Sequence, residues 1–181
     1  MPDLKQEIAQ KRPFSSLAEE ALLNLMRTAD CLIRSMQRAT RPWGITSTQY
    51  NVLRILRGAY PEGLTCSAIG DRMITADPDI TRLLARLKTS KLVRQQRDKR
   101  DRRVVWTHIS STGLELLAEM DPLVQRLPSE MLGHLDNTEL AEFIRLLELA
   151  RTPCLEPASA VTCDGNSNGN GISCDEGANA V

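Results

Sequence analysis

The sequence predicts a mainly α-helical fold with one small β-hairpin. Three observations carry that expectation. Apolar residues recur at the three-to-four spacing of a helix face across most of residues 15–151. The period turns to that of a strand only at residues 92–96 and 104–109. Between those runs lies RDKRDRR, residues 97–103, five positive and two negative charges in seven positions. A charged stretch between two strand-like runs is the tip of a hairpin.

Length and composition set the limits. The 181 residues suit one domain, or one domain and a tail. The chain is 41% apolar but only 3% aromatic, so its core must be built from Leu, Ile, Val, Ala and Met. No apolar run approaches the roughly 18 residues of a membrane span. The opening MPDLKQEIAQKRPFSS holds no apolar stretch of a secretory signal, so the expected compartment is the cytoplasm and no membrane partner is expected. Five cysteines, an odd number, argue against a disulfide framework; Cys31 and Cys66 fall in helix-like stretches and read as buried, inert thiols. Net charge is zero, yet residues 72–114 carry eleven basic and four acidic groups, a net of +7. Residues 115–181 carry three basic and twelve acidic groups, a net of −9. Charge separated in this way points to one face for a polyanion.

The elements follow in order. Leu17, Leu22, Leu25, Met26, Leu32 and Met36 predict a long helix over 15–39, with Pro13 and Ser15-Ser16 before it and Pro42 and Gly44 after it. Thr46-Ser47-Thr48-Gln49 has the form of a capping box, and Val52, Leu53, Ile55 and Leu56 predict a helix behind it, ending near Gly58 to Gly63. A short third helix is expected from Thr65, carrying Ala68, Ile69 and Met73. A fourth is expected from Asp77-Pro78, an N-cap carboxylate and a proline at the first helical position, and spans 78–90. Its apolar side is Ile80, Leu83, Leu84 and Leu87; Arg82 and Arg86 lie one turn apart on the other. After the hairpin comes a helix over 111–133, which Pro122 and Pro128 should bend or interrupt, and a last helix over 137–151.

Three helices followed by a basic ribbon make the order of a winged helix-turn-helix. The predicted organisation is an N-terminal arm (1–14), a dimerisation helix (15–44), a winged helix-turn-helix domain (45–110), C-terminal dimerisation helices (111–151) and a disordered tail (152–181). The first helix and the last two carry apolar stripes too large for the small winged domain to cover, which predicts a symmetric homodimer. The partner expected is double-stranded DNA. A helix fits the major groove, and Arg82 and Arg86 can reach base edges. A basic tip fits the adjacent minor groove, where negative potential concentrates; Arg100, Arg102 and Arg103 suit that role. Asp98 and Asp101 sit oddly among them, and are expected each to hold a neighbouring arginine by a bidentate pair.

The segment ITRLLARLKTSKLVRQQRDKRDRRVVWTHISSTG, residues 80–113, resembles the MarR (multiple antibiotic resistance regulator) family. The likeness rests on Thr81-Arg82, the Leu-x-x-Leu spacing, Leu92-Val93, the tip Asp101-Arg102-Arg103 and the closing Ser110…Gly113. ITSTQYNVLRIL and LTCSAIGDRM are similar to that family's second and third helices, and the likeness spans roughly residues 15–151. It implies a homodimeric transcriptional regulator, in which the first and last two helices of each chain intertwine. It also implies a possible small-molecule effector, often phenolic, or release from DNA by oxidation of a cysteine. The candidate DNA-binding residues are Thr81, Arg82, Arg86, Lys99, Arg100, Asp101, Arg102 and Arg103. Two departures stand out. The family's glycine after the recognition helix is replaced around Ser90-Lys91, and its small hydroxyl residues before that helix by Asp77-Pro78-Asp79.

Other readings are weaker. A thiol-based redox regulator would signal through Cys31 or Cys66. A protein-interaction module on a winged-helix scaffold leaves Arg82, Arg86 and the basic tip without a purpose. Trp43 and Trp106 fit core or strand packing better than an effector pocket, and His108 and His134 fit structural roles. No Ser/His/Asp, metal or phosphate-loop constellation is present, so no cofactor and no enzymatic activity are expected. In the tail, Asn166-x-Asn168-x-Asn170 echoes a calcium loop but lacks the charged oxygens calcium needs.

Overall fold

A computed structural model describes residues 3–155. Its first element is not one the sequence predicts. Asp3 accepts the Gln6 N–H and caps a single-turn helix, α1 (Leu4–Glu7), inside the expected arm; Leu4 is buried and Glu7 pairs with Arg27 at 3.4 Å.

Helix α2 (Leu17–Thr40) begins at Ser16, whose Oγ accepts the Glu19 N–H. Glu19 answers by accepting the Ser15 hydroxyl and N–H, which hold its carboxyl below the usual range. A 3-10 turn (Arg41–Trp43) and Gly44, at φ +68, end the helix. The capping box at the next start is complete: Gln49 N–H donates to Thr46 Oγ1 at 3.1 Å, and Thr46 N–H to Gln49 Oε1 at 2.9 Å. It opens α3 (Ser47–Gly58), which buries Val52, Leu53 and Leu56 completely.

A two-residue strand, β1 (Leu64–Thr65), precedes α4 (Cys66–Gly70), so Met73 lies beyond the third helix and not within it. Five residues are all that Thr65 as N-cap and the turn after Gly70 allow. The start of α5 (Ile80–Thr89) also differs from expectation. Asp77 Oδ1 takes the Asp79 N–H at 2.8 Å, so Pro78 sits in a turn, and it is Asp79 that caps the helix through the Arg82 N–H at 3.0 Å. Two carboxylates two residues apart compete for the cap, and the second wins.

Strands β2 (Val93–Arg97) and β3 (Val105–Ile109) pair antiparallel from Val93↔Ile109 to Arg97↔Val105. β1 pairs with the other edge of β3, Leu64 opposite Thr107, giving the order β1-β3-β2. That approach needs Gly63. Its φ is +75, and a Cβ there would lie 2.6 Å from both Thr107 O and His108 Nδ1.

Helix α6 (Ser111–Leu132) runs through Pro122 and Pro128 without interruption. Each proline removes one N–H, but the bonds of the adjoining turns persist, and Met120 and Leu127 on either side are buried. Its Leu117 and Met120 complete one core with Leu53, Leu56, Ile69, Leu84 and Leu87, all at most 2% exposed. Burying each such side chain contributes about 1.5–3 kcal/mol. Arg57 of α3 fastens α6 from outside, donating to both oxygens of Asp121 at 2.8 and 3.1 Å; that pairing raises the guanidinium pKa.

The chain divides into two units, Met1–His134 and Leu135–Val181. The second holds α7 (Asn137–Leu155), opened by Asp136, which accepts the Thr138 and Glu139 N–H groups. Residues 152–155 thus extend the last helix and do not begin the tail; Pro153 is accommodated in its final turn. Residues 156–181, with the Asn-rich stretch, lie outside the described residues. Among the described residues no helix is long and apolar enough to cross a membrane.

The turn after α5 bears on the replaced glycine. Lys91 takes φ +60, its N–H donates to Lys88 O, and the Leu92 N–H reaches back to Leu87 O. This is a Schellman ending, with buried Leu87 and Leu92 as its apolar pair. Lys91 holds the left-handed position that glycine occupies freely. Lys91→Gly is therefore expected to stabilise the fold by about 0.5–1 kcal/mol, read as a rise in the chemical denaturation midpoint at unchanged slope. An unchanged or lowered midpoint would contradict the strain.

Candidate nucleic-acid interface

The apolar side of α5 packs inward through Leu83, Leu84 and Leu87, and this fixes what the other side presents. Thr81, Arg82 and Arg86 are exposed. Across β2 and β3 the hairpin carries Lys99, Arg100, Asp101, Arg102 and Arg103, also exposed. Among the described residues none of these arginines, nor Lys99, sits in an ion pair; the pairs formed there involve Arg27, Arg34, Arg57 and Arg145.

The two groups meet at a cleft of about 540 Å³, where Thr81 and Leu84 of α5 face Gln95, Arg103 and Val105 of the hairpin, with Cys66 at its side. Of the two groups, Thr81 and Arg103 line this cleft, and its other walls are uncharged. Cys66 is half-buried, while Cys31 and Cys154 are exposed, so the expectation that Cys31 is a buried thiol does not hold. Cys31 lies on α2, outside the faces that pack inward.

The tip corrects the reading of its two carboxylates. Neither pairs with a guanidinium. Asp98 Oδ1 accepts the main-chain N–H groups of Arg100 at 2.7 Å and Asp101 at 3.1 Å, and its Oδ2 accepts the Trp106 indole N–H at 3.0 Å. Asp101 Oδ1 accepts the Arg103 N–H at 2.9 Å. In a seven-residue loop the nearest unsatisfied donors are the loop's own amides, and a short aspartate reaches them before a long arginine folds back. These bonds, first the Arg100 amide, then Asp101 and Trp106, hold the Asp98 carboxyl below its usual pKa. Its contribution is thus present above the ordinary carboxylate range and is lost only as pH falls through that lowered value.

A second cavity, of about 440 Å³, lies between α2, α3, the loop after α4 and α6, lined by Leu32, Met36, Tyr50, Asn51, Ile74 and Val124 among others. Arg54 projects at its edge, its guanidinium 5.9 Å from the Tyr50 ring centre and donating to the Tyr50 hydroxyl at 2.9 Å. Trp43 packs on the core, and His108 Nδ1 lies 3.2 Å from Pro61 O.

Comparison with known proteins converges on this geometry. The family model described as MarR family matches residues 43–104, from the end of α2 to the wing. A crystal structure of a MarR transcription factor from Planctomyces limnophilus is 41% identical, covering 76% of this chain and 99% of that one, with a TM-score of 0.59. The chain belongs to the MarR family. The transcriptional regulator HosA of Escherichia coli O157:H7 is 27% identical over 103 residues, 57% of this chain and 75% of HosA. BpsR of Bordetella bronchiseptica, whose DNA binding is regulated by 6-hydroxynicotinic acid, is 23% identical over 73% of this chain and 98% of its own, with a TM-score of 0.65.

As a MarR-family protein the chain is a DNA-binding transcriptional regulator with a winged helix. The arginines are legible in the sequence, but three supporting features are not: strand β1, the indole bond of Trp106, and the Arg57–Asp121 pair that fastens α6 to α3. The first is too short for a periodic signal. The second needs the hairpin register, which sets Trp106 opposite Gln96 and so makes Asp98, two residues on, its diagonal neighbour. Arg57 and Asp121 are 64 positions apart, and nothing local marks them as partners.

Proposed function

We propose that the protein is a homodimeric repressor that reads a palindromic double-stranded DNA site and releases it on binding a small organic anion. Each copy places α5 in the major groove with Thr81, Arg82 and Arg86, and the wing, residues 97–103, in the minor groove. Lys99, Arg100, Arg102 and Arg103 meet the backbone and groove there. The observation that supports this best is the shared cleft: Thr81 and Arg103 flank it, so helix and wing address one ligand from one side. Occupancy of promoter DNA is enough to repress, and the site of action is the cytoplasm, where bacterial DNA lies.

The dimer reading is supported by apolar surface without cover. On α2, Leu17 is 85% and Met26 60% exposed, with Leu22, Leu25 and Ile33; on α7, Ile144, Leu146 and Leu149 are exposed. A second copy covers these faces. The effector reading rests on the cavity beside Tyr50, where apolar walls and one guanidinium suit a flat, acidic molecule. The acid that regulates BpsR is of that type.

The test is selection of duplexes by the purified protein from a random pool, together with light scattering. We expect an inverted repeat with half-sites about one helical turn apart, and a mass twice that of the chain. A stable monomer at micromolar concentration, or a pool that never converges on a sequence, would overturn the proposal.

A further inference from the structure

We propose that Trp106 is a positioning residue for DNA binding: its indole N–H, acting through Asp98, holds the wing tip in the shape that presents Arg100, Arg102 and Arg103. The inference rests on the reading that the wing enters a groove.

Trp106 lies in the central strand of the sheet. Its main chain is flanked by Thr65 of β1 on one side and Gln96 of β2 on the other, so its position is fixed from both edges. The ring is half-buried on the outer face, beside His108, and its Nε1–H reaches Asp98 Oδ2 at 3.0 Å. Asp98 stands at the last residue before the tip turns, and its other oxygen collects the Arg100 and Asp101 amides. Three donors thus converge on one carboxylate, and the indole is the only one of them anchored outside the loop. Beyond these bonds the tip is closed by Asp98 N–H to Val104 O, Val104 N–H to Asp101 O, and Arg103 N–H to Asp101 Oδ1.

Take the indole N–H away and the carboxylate still caps the loop. Its second oxygen then has no partner on the sheet, and the tip is left with only its main-chain closure at Asp98 and Val104. The arginines would have to be ordered at the moment of binding, at a cost in affinity. A leucine or valine at position 106 would pack on the sheet equally well and offer no donor. The effect is confined to contacts made by the tip; α5 is held separately through Leu83, Leu84 and Leu87.

The experiment compares the full chain with Trp106→Phe, which keeps a ring and loses the donor, with Asp98→Ala, and with the double variant. The probe is a duplex of about 30 base pairs selected by the wild-type protein, long enough for two half-sites. Affinity is read on this duplex and on random DNA. Hydroxyl-radical footprinting reads the minor groove and methylation protection the major groove. We expect Trp106→Phe to weaken binding to the selected duplex about tenfold, and to erase minor-groove protection at the flanks while leaving the major-groove pattern intact. The double variant should be no weaker than Asp98→Ala alone, since the two residues act through one bond. The thermal midpoint and binding to random DNA should change little.

Trp106→Phe that keeps both affinity and flank protection overturns the positioning role. So does a loss spread evenly over both grooves with a lowered midpoint, which is the mark of general destabilisation. Conversion of Arg100, Arg102 and Arg103 to alanine in one chain separates the premise: if wild-type flank protection survives that change, the wing does not enter the groove, and the function reading fails first.

Discussion

Replacing Gly113 by alanine is expected to destabilise the protein by about 3 kcal/mol, a fall in thermal midpoint of roughly 6–12 °C at fixed protein concentration. Gly113 is in the first turn of α6, where a single methyl has no room. A Cβ there would stand 2.4 Å from Leu92 O and 2.8 Å from Ile109 Cγ1. The carbonyl cannot retreat, because Leu92 O also accepts the Ser110 N–H at 3.0 Å. Ser110 is held in turn: its Oγ donates to Lys91 O at 2.7 Å and accepts the Gly113 N–H at 3.0 Å. Gly70→Ala is the control. Its Cβ would meet only Ile80 Cδ1, at 3.6 Å, an ordinary contact, and the change in midpoint should be small. Calorimetry of the two variants distinguishes a steric junction from a general intolerance of substitution; equal midpoints would contradict the close approach.

The second large effect concerns the wing. Arg103→Ala is expected to weaken operator binding by about 1–3 kcal/mol. Asp101→Ala should weaken it too, although it removes a negative charge from a surface that meets phosphate. Charge alone predicts tighter binding. The geometry predicts the opposite, because Asp101 fixes the Arg103 main chain through its N–H, and a freed amide lets that arginine wander. Lys99→Ala provides the reference: on the proposed reading it removes a plain phosphate contact, and it should lower the salt slope by about one unit on any sequence. Titration at two salt concentrations against operator and random DNA separates the accounts. Tighter operator binding by Asp101→Ala would leave only an unshaped basic loop.

Much of this architecture is legible in the chain itself. The capping box at Thr46 and Gln49 forms as its spacing demands, because both partners are three residues apart and need no tertiary help. The inward face of α5 follows from Ile80, Leu83, Leu84 and Leu87, and so the outward place of Arg82 and Arg86 follows too. Legibility fails where two local signals compete or where partners are distant. Asp77-Pro78 and Asp79 both offer a helix start, and only the turn geometry decides between them. Asp98 and Asp101 face both arginines and amides, and sequence cannot show that the amides are nearer. The Ser110…Gly113 motif is readable as a likeness, but its cause, the Lys91 carbonyl nineteen positions before Ser110 and the Leu92 carbonyl next to it, exists only in the folded chain.

The junction at Leu92 has a bearing on motion. Three elements end or begin there: α5 through its Schellman turn, β2 at Val93, and α6 at Ser110 and Gly113. Each hydrogen bond at this point shares an atom or a neighbour with the next, so the loss of one loosens the others. Breathing of the recognition helix is thereby tied to breathing of the wing root. The two are expected to open together, and hydrogen exchange should then give amides on either side of Leu92 the same opening free energy.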